Sequence, residues 1–179
     1  MNKDTALLII DVQNGVIDWS QPSSNGNEVL KNISSLLTKA RESNAPVIYI
    51  QHDGEYSGRL AVGSSGWEIH SEIAPIDGEL IIRKRASDSF YETPLKDELN
   101  KKGIKHLVVV GCRTQFCVDT TCRSATSLGY NVTLAKDAHT TMDDVLTAAQ
   151  IITHHNSTLD DFGNDSFVIT AKESKEIVF

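Results

Sequence analysis

The sequence lacks basic clusters and long apolar runs, and these absences exclude several classes of protein. Its 179 residues carry a formal net charge of −7, which argues against a general affinity for nucleic acid or anionic membrane because both attract basic surfaces. The longest apolar stretches, such as ALLII, are far too short to cross a bilayer. The charged N-terminus MNKDTALLIIDVQ has neither the apolar region nor the cleavage site of a signal peptide. We therefore expect a cytoplasmic protein that binds neither nucleic acid nor membrane.

Cysteine is also scarce, and its spacing restricts its role. Cys112, Cys117 and Cys122 are the only three cysteines and lie in one short window. An odd number at five-residue spacing fits neither a disulfide framework nor a zinc motif built from C-x-x-C pairs. In a reducing compartment they would be free thiols, which leaves packing or catalysis. We assign Cys112 and Cys122 to packing.

Short apolar runs alternate with helical periodicities along the chain, which predicts βαβ units around a mostly parallel sheet. The predicted strands are Ala6–Val12, Pro46–Gln51, Glu79–Arg83, Lys105–Gly111, Asn131–Ala135 and Phe167–Thr170. No repeat, low-complexity tract or shift in composition marks a second domain. Residues 1–179 are therefore predicted to form a single α/β domain, a three-layer α/β/α sandwich.

Helices are predicted between these strands from periodicity and from capping signals. The first has one apolar face, made of Val29, Ile33, Leu36, Leu37 and Ala40. Thr93-Pro94 is typical of a helix start and Gly103 of a helix end, and residues 114–128 form the next helix. The last is predicted to begin with a capping box at Thr141 and Asp144. Its inner face would comprise Val145, Leu146, Ala149 and Ile152.

Residues 52–78 are rich in glycine and serine and are predicted to form a long loop. Loops of this length are uncommon in compact domains unless they line a site or act as a lid. Either role remains open for this loop on the sequence alone.

Three chemically distinctive side chains lie at predicted strand ends. Ligands of open parallel sheets bind beyond the carboxyl ends of the strands, where strand order reverses. Asp11 closes the first strand, Lys84 follows the third, and Cys117 opens the helix after the fourth. A helix N-terminus and an ammonium favour a thiolate, and a carboxylate can accept the thiol proton. The three residues would together activate a nucleophile.

Plainer roles remain open for each of the three on sequence pattern alone. Cys117 could be buried filler, because free cysteine is often buried. Asp11 could cap a turn at the strand end. Lys84 lies between Arg83 and Arg85 and could belong to a solvated basic face.

Motifs in a consistent order extend this pattern from about residue 5 to residue 170. They are ALLIIDVQ ending at Gln13, Lys84 followed by Phe90, Thr93 and Leu95, and Gly111-x-x-Thr114-x-x-Cys117-Val118. Together these motifs resemble the isochorismatase-like cysteine hydrolases, a family that includes nicotinamidase and N-carbamoylsarcosine amidohydrolase. Within this family the chain resembles the relatives of these enzymes that bind no metal. The resemblance implies a Rossmann-like, six-stranded, mostly parallel sheet and an Asp–Lys–Cys triad of Asp11, Lys84 and Cys117.

The resemblance also implies a mechanism. Cys117 would attack a carbonyl carbon, Asp11 would carry the thiol proton to the leaving amine, and Lys84 would stabilise the thiolate. A cis peptide bond is implied between Cys112 and Arg113, with the backbone N–H groups of Arg113 and Cys117 forming an oxyanion hole. A homo-oligomer, a dimer or larger, is implied as well.

No metal and no other cofactor is predicted. The nicotinamidase branch binds a metal through an Asp-x-His pair and a later histidine, whereas this chain reads Gln51-His52-Asp53. His70, a lone histidine, is interpreted as structural. A second departure from the family pattern is Asp88-Ser89-Phe90, where many members have Ser-Ala-Phe, so Asp88 could alter the polarity near the substrate.

Several polar and aromatic residues follow strand ends, where they would suit a small planar substrate. The predicted substrate-binding residues are Gln13, Trp19, His52, Trp67, Phe90 and Tyr91. For Gln13 a structural role at the strand end is the alternative, and for Trp19, His52, Trp67 and Tyr91 it is a contact in the core or between subunits. Phe90 is a pocket-wall residue that the resemblance implies.

The cysteine in the third motif favours hydrolysis of a C–N bond in a small amide, carbamoyl or ureido compound, through a thioester acyl-enzyme. Two alternatives stay open. One is hydrolysis of the vinyl ether of isochorismate, with Asp11 as the acid and Cys117 expendable. The other is a non-enzymatic thiol sensor on the same fold.

Overall fold

The computed structural model describes residues 4–18, 25–56 and 58–179, so the predicted role of Trp19 falls outside the described residues. Six strands form one parallel sheet in the order β3-β2-β1-β4-β5-β6. They are β1 (Thr5–Ile10), β2 (Val47–His52), β3 (Leu80–Lys84), β4 (His106–Cys112), β5 (Asn131–Thr140) and β6 (Ile169–Lys172). The predicted parallel α/β architecture is confirmed, with most strand ends displaced by one or two residues.

Five α-helices flank the sheet in the described part of the chain. They are α1 (Asn14–Ile17), α2 (Gly26–Glu42), α3 (Leu95–Lys101), α4 (Asp119–Ser127) and α5 (Ala148–Leu159). A π-helical turn, Thr114–Val118, precedes α4, so the predicted helix over 114–128 has two parts. No helix among the described residues has both the length and the apolar character needed to span a membrane.

The central strand β1 explains the three layers. Leu7 and Ile9 pack in the core beneath α2, whereas Leu8 and Ile10 pack in the opposite core with α3 and α4. Since side chains alternate between the faces of a strand, a strand covered on both faces must be apolar throughout. The unbroken run ALLII therefore marks the middle of the sheet.

The predicted start of the last helix is wrong. Thr147, not Thr141, is the N-cap of α5: its hydroxyl accepts a hydrogen bond from the Gln150 N–H, and the Gln150 side chain accepts one from the Thr147 N–H. Val145 and Leu146 precede the helix and are exposed. The reciprocal Thr-x-x-Gln arrangement satisfies two N–H groups that a helix start otherwise leaves unpaired, which explains why the helix begins there.

Strand β5 is also longer than predicted. It continues past Ala135 to Thr140, and after a register shift His139 pairs with Gly111 and Thr140 with Cys112. The apolar run ends earlier because Lys136 and Asp137 are only partly buried, so the pattern shows only the first half. The extension carries His139 to the end of β4.

The loop predicted over residues 52–78 is confirmed from residue 53 onward, with one short 3₁₀ turn at Ser71–Ile73. Backbone contacts fasten it across the carboxyl end of β1, with Gly66 O accepting from Gly15 N at 2.7 Å and Val12 O accepting from His70 N at 3.0 Å. A Cβ at Gly66 would collide with the carbonyl oxygen of Arg59. The loop therefore folds closely over the strand ends.

Candidate active site

The site lies where the strand order reverses, between the carboxyl ends of β1 and β4. This is the crevice that binds ligands in open parallel sheets. Gly111, near the end of β4, has a φ of +123°, and a Cβ there would collide with the Ile10 carbonyl oxygen. Only glycine allows both this backbone conformation and this close approach. It brings the segment that carries the nucleophile candidate against the end of β1.

Asp11 and Lys84 form a buried ion pair in this crevice. Lys84 Nζ lies 2.8 Å from Asp11 Oδ2, and both side chains are almost completely inaccessible to solvent. Lys84 Nζ also donates to the carbonyl oxygens of Ala86 and Ser87, at 3.0 and 3.1 Å. Burial opposes the charge on Lys84, but the neighbouring Asp11 and Cys117 outweigh it and raise the pKa of Lys84. The ammonium is therefore permanently charged and held in one position.

Asp11 is positioned to accept a proton. Its φ of +51° is left-handed, a conformation that aspartate tolerates better than most residues. Its Oδ1 is buried and has no hydrogen-bond partner among the described residues. A carboxylate oxygen of Asp11, Cys117 Sγ and a ring nitrogen of His52 all lie within 4.8 Å of one another. The structure thus brings the carboxylate, the ammonium and the thiol predicted from the sequence into one cluster.

The surroundings of Cys117 favour a protonated thiol, whereas the sequence suggested a thiolate. Burial first, and then the negative charge of Asp11, raise the pKa of Cys117 to about 12, although Lys84 opposes the shift. Because the Lys84 charge is already matched by Asp11, little of it remains to stabilise a thiolate. The arrangement suits a neutral thiol that loses its proton to Asp11 as it reacts.

A second buried cluster, which sequence reasoning missed, supports the turn that carries Cys117. The Thr114 hydroxyl lies 2.9 Å from His139 Nδ1, and His139 Nε2 lies 2.8 Å from Asn156 Oδ1. Asn156 donates its amide N–H to the Lys136 carbonyl oxygen, so its Oδ1 must accept from His139 Nε2–H and Thr114 must donate to Nδ1. Burial lowers the pKa of His139 to about 4 and keeps it neutral. His139 lies in the second half of β5, which the sequence pattern did not predict, so its contact with Thr114 could not be found from the sequence.

A cavity of about 420 Å³ opens above Cys117. Its walls include the thiol, Asp11, His52 and Phe116, and the predicted loop contributes Gly54, Glu55, Gly58, Arg59 and Leu60. Arg113 also lines it and is half-buried. The volume suits a small-molecule ligand. Part of the loop predicted over residues 52–78 therefore lines the cavity, and the lining residues that the sequence did not predict belong to no motif.

Of the predicted substrate-binding residues that the structure describes, only His52 lines this cavity. Its Nδ1 is buried and has no partner among the described residues, and burial lowers its pKa. The buried Gln13 instead joins β2 to the loop: its amide donates to the carbonyl oxygens of His52 and Trp67 at 3.0 and 2.7 Å, and its Oε1 accepts from His52 N at 2.9 Å. Gln13 thus has the structural arrangement weighed as its alternative.

The remaining aromatic candidates lie away from the cavity. Trp67 Nε1 donates to Asp53 at 2.9 Å, and the Arg83 guanidinium covers its ring. Phe90 stacks on Tyr130, with ring centroids 5.8 Å apart, and Tyr91 is exposed beside a neighbouring cleft. These positions do not bring the three rings to the thiol.

Two polar residues singled out by the sequence have local partners. Asp88 accepts hydrogen bonds from Ser124 Oγ at 2.7 Å and from the Phe90 N–H at 2.9 Å. His70 Nδ1 accepts from the Glu72 N–H at 3.3 Å. Both side chains therefore stabilise local structure and do not line the cavity above Cys117.

Asp11, His52 and Cys117 form the one group of possible metal ligands among the described residues. Lys84 already occupies one carboxylate oxygen of Asp11 and places a positive charge beside the thiol. A cation there would meet that charge, so the cluster fits proton transfer better than metal binding.

Comparison with known proteins agrees with this geometry. The family model of the isochorismatase domain matches residues 5–159. The chain belongs to the isochorismatase family. Its relatives include a streptothricin hydrolase of Streptomyces noursei, 37% identical over 77% of this chain and 55% of that protein. Nicotinamidase 3 of Arabidopsis thaliana is 28% identical over 84% of this chain and 80% of that protein.

The fold agrees as well with that of solved family members. The crystal structure of an isochorismatase family protein superposes with a TM-score of 0.85 and 32% identity, covering 97% of this chain and all of the other. The chain spans only about half the length of the streptothricin hydrolases that it matches. The peptide bond between Cys112 and Arg113 is cis, as the resemblance implies.

Proposed function

We propose that this isochorismatase-family protein hydrolyses the C–N bond of a small amide, carbamoyl or ureido compound through a thioester on Cys117. The observation that carries the proposal is the buried Asp11, which is paired with Lys84 through one oxygen while the other oxygen has no partner among the described residues. A carboxylate held in this way next to a neutral thiol is suited to move a proton. The relationship to a nicotinamidase supports amide chemistry.

In the acylation step, Cys117 Sγ attacks the carbonyl carbon and its proton passes to Asp11. The oxyanion that forms would accept hydrogen bonds from the backbone N–H groups of Arg113 and Cys117, the predicted oxyanion hole. Lys84 holds the Asp11 carboxylate in position before the transfer and balances the charge that develops on sulfur. Collapse of the intermediate breaks the C–N bond as Asp11 donates its proton to the leaving nitrogen.

In the deacylation step, Asp11 removes a proton from a water molecule that attacks the thioester. The C–S bond breaks, the acid product leaves, and the thiol regains the proton from Asp11. Each half of the cycle thus uses the same carboxylate, first as base and then as acid. The cycle needs no oxidant, reductant or cofactor.

The test measures ammonia release from a panel of amides, carbamoyl compounds and ureido acids. Isochorismate, which contains no nitrogen, is assayed separately by its disappearance. Cys117→Ala should abolish C–N hydrolysis while the fold survives, and mass spectrometry of the wild-type protein should detect an acyl adduct on the peptide that contains Cys117. Cys122→Ala is the matched control, because it removes a buried thiol outside the cavity. Full amide turnover by Cys117→Ala would overturn the proposal.

The same panel separates the two alternatives. Isochorismate hydrolysis that survives Cys117→Ala would identify vinyl-ether chemistry led by Asp11. A thiol sensor would show no turnover at all. The raised pKa of Cys117 argues against a sensor that depends on a resident thiolate.

We further propose that the protein is cytoplasmic and forms a homo-oligomer. The three free cysteines are consistent with a reducing compartment, and the oligomer rests on the family resemblance. Light scattering coupled to gel filtration measures the mass against the 19.7 kDa of one chain. A mass of one chain would exclude the oligomer, and fractionation of the source cells would test the location.

A further inference from the structure

The Arg113 guanidinium is a half-buried cation with no counter-ion among the described residues. Arg113 lines the cavity above Cys117, and its guanidinium makes no hydrogen bond or ion pair with any of these residues. Arg41 and Arg123 are also half-buried, but each has a counter-ion. Arg41 pairs with Glu79 at 2.9 Å, and Arg123 pairs with Asp119 at 3.0 Å. Burying an unpaired charge costs free energy. A site that retains one beside its nucleophile has a place for an anion.

The other charges around the cavity do not supply that anion. Asp11 is committed to Lys84 at 2.8 Å. Glu55 and Arg59 are exposed residues of the wall and carry opposite charges. Burial, followed by the positive charge of Arg59, lowers the pKa of Arg113, while the two neighbouring thiols raise it. Around the cavity one positive charge remains in excess, although the whole chain carries −7.

We propose that Arg113 binds a carboxylate of the substrate, so that the preferred substrates are small amide, carbamoyl or ureido acids. A planar guanidinium pairs with a carboxylate through two parallel hydrogen bonds, which fixes orientation as well as position. The carboxylate would lie a short distance from the C–N bond, since Arg113 and Cys117 line the same cavity. The substrate class rests on the proposed function, but the anion preference of the cavity does not.

Alkylation of Cys117 measures that anion preference without any substrate. Iodoacetate carries a carboxylate and iodoacetamide does not, and both react by displacement of iodide by the sulfur. The two other thiols are buried, so mass spectrometry can follow the Cys117 peptide alone. The probe is the ratio of the two rate constants. We expect Arg113→Gln to lower the ratio of iodoacetate to iodoacetamide by about threefold or more.

Arg85→Gln is the matched control, because Arg85 is an exposed arginine near the site that does not line this cavity. It should leave the ratio almost unchanged. High salt should lower the ratio in the wild-type protein, which keeps the test valid if Arg113→Gln fails to fold. The proposal would be overturned if the ratio of the two rate constants did not change with salt, or if Arg113→Gln and Arg85→Gln lowered that ratio equally.

A substrate pair then tests the class. Succinamate and butyramide both carry a primary amide, but only succinamate carries a carboxylate. Arg113→Gln should raise KM for succinamate by about tenfold or more relative to its effect on KM for butyramide, and Arg113→Lys should recover part of that difference. An equal effect on both amides would contradict carboxylate binding. Loss of all turnover in Cys117→Ala would still support the hydrolytic mechanism, so the two proposals fail separately.

Discussion

Lys84 lies 2.8 Å from Asp11 with its ammonium buried from solvent, at the carboxyl end of the sheet, where β1 and β3 on either side of β2 place the two residues. Breaking a buried pair leaves an uncompensated charge and costs about 3–5 kcal/mol of stability. The same pair holds the Asp11 carboxylate beside the thiol. The Asp11–Lys84 ion pair therefore supports both the stability of the fold and the proposed chemistry.

Replacing Lys84 tests both roles. Lys84→Met should lower kcat by about 100-fold or more, since Asp11 loses the ammonium that positions it for proton transfer, and should lower the free energy of unfolding by about 3 kcal/mol. Lys101→Met is the control, because Lys101 forms an exposed pair with Glu98 at 2.6 Å. Urea titration and steady-state kinetics measure the two effects. Turnover within about twofold of wild type would remove Lys84 from the mechanism.

The pH dependence of Cys117 alkylation should follow a high pKa. With a pKa of about 12, the thiolate fraction and the rate with iodoacetamide should rise about tenfold per pH unit from pH 7 to 9 without a plateau. Asp11→Asn removes the negative charge that raises this pKa, so the variant should react faster at pH 7.5. A plateau of the wild-type rate near neutral pH would instead show a resident thiolate.

Buried His139 should make the fold sensitive to acid. Its pKa falls from an ordinary 6.5 to about 4 in the folded state, so between these values the unfolded chain binds a proton that the folded chain does not. Stability contributed by neutral His139 is complete above pH 6.5 and is lost as the pH falls toward 4, by about 3 kcal/mol in total. Urea titrations of His139→Gln should show a flatter profile over this range. The exposed His154→Gln should keep the wild-type slope.

Thr114 should act on turnover by positioning Cys117. Thr114→Val keeps the volume but leaves His139 Nδ1 buried without a donor, which costs about 1–3 kcal/mol of stability. Because the turn that carries Cys117 begins at Thr114, kcat should fall more than KM changes. Thr114→Ser restores the hydroxyl and should rescue kcat. A purely structural role would lower the melting temperature and leave kcat per folded molecule intact.

The corrected start of α5 can be checked through its caps. Thr147→Ala should cost about 1 kcal/mol, because it removes the hydroxyl that accepts from the Gln150 N–H. Asp144→Ala should cost much less, since Asp144 is exposed and precedes the helix. Thermal unfolding of both variants decides between the two starts. A larger loss in Asp144→Ala would restore the start predicted from the sequence.

The local sequence pattern predicted secondary structure correctly where the residues of one segment alone determine which of its faces are buried. The apolar run of β1 and the periodic face from Val29 to Ala40 could be predicted because burial on two faces, or on one, leaves a period in the sequence. The second half of β5 could not, since Lys136 and Asp137 interrupt the run and pairing with β4 sustains the strand. The same limit hid His139 beneath the turn that carries Cys117.

The amino-acid sequence by itself determined that a carboxylate closes a buried strand, that an ammonium follows another, and that a thiol opens a helix, because each signal is local. Tertiary structure alone decided that burial and Asp11 raise the pKa of the thiol, which aromatic rings stay outside the cavity, and that Arg113 lacks a partner among the described residues. The physical reason is that ionisation and pairing depend on burial and on charges from distant parts of the chain, and only the folded sheet brings these together.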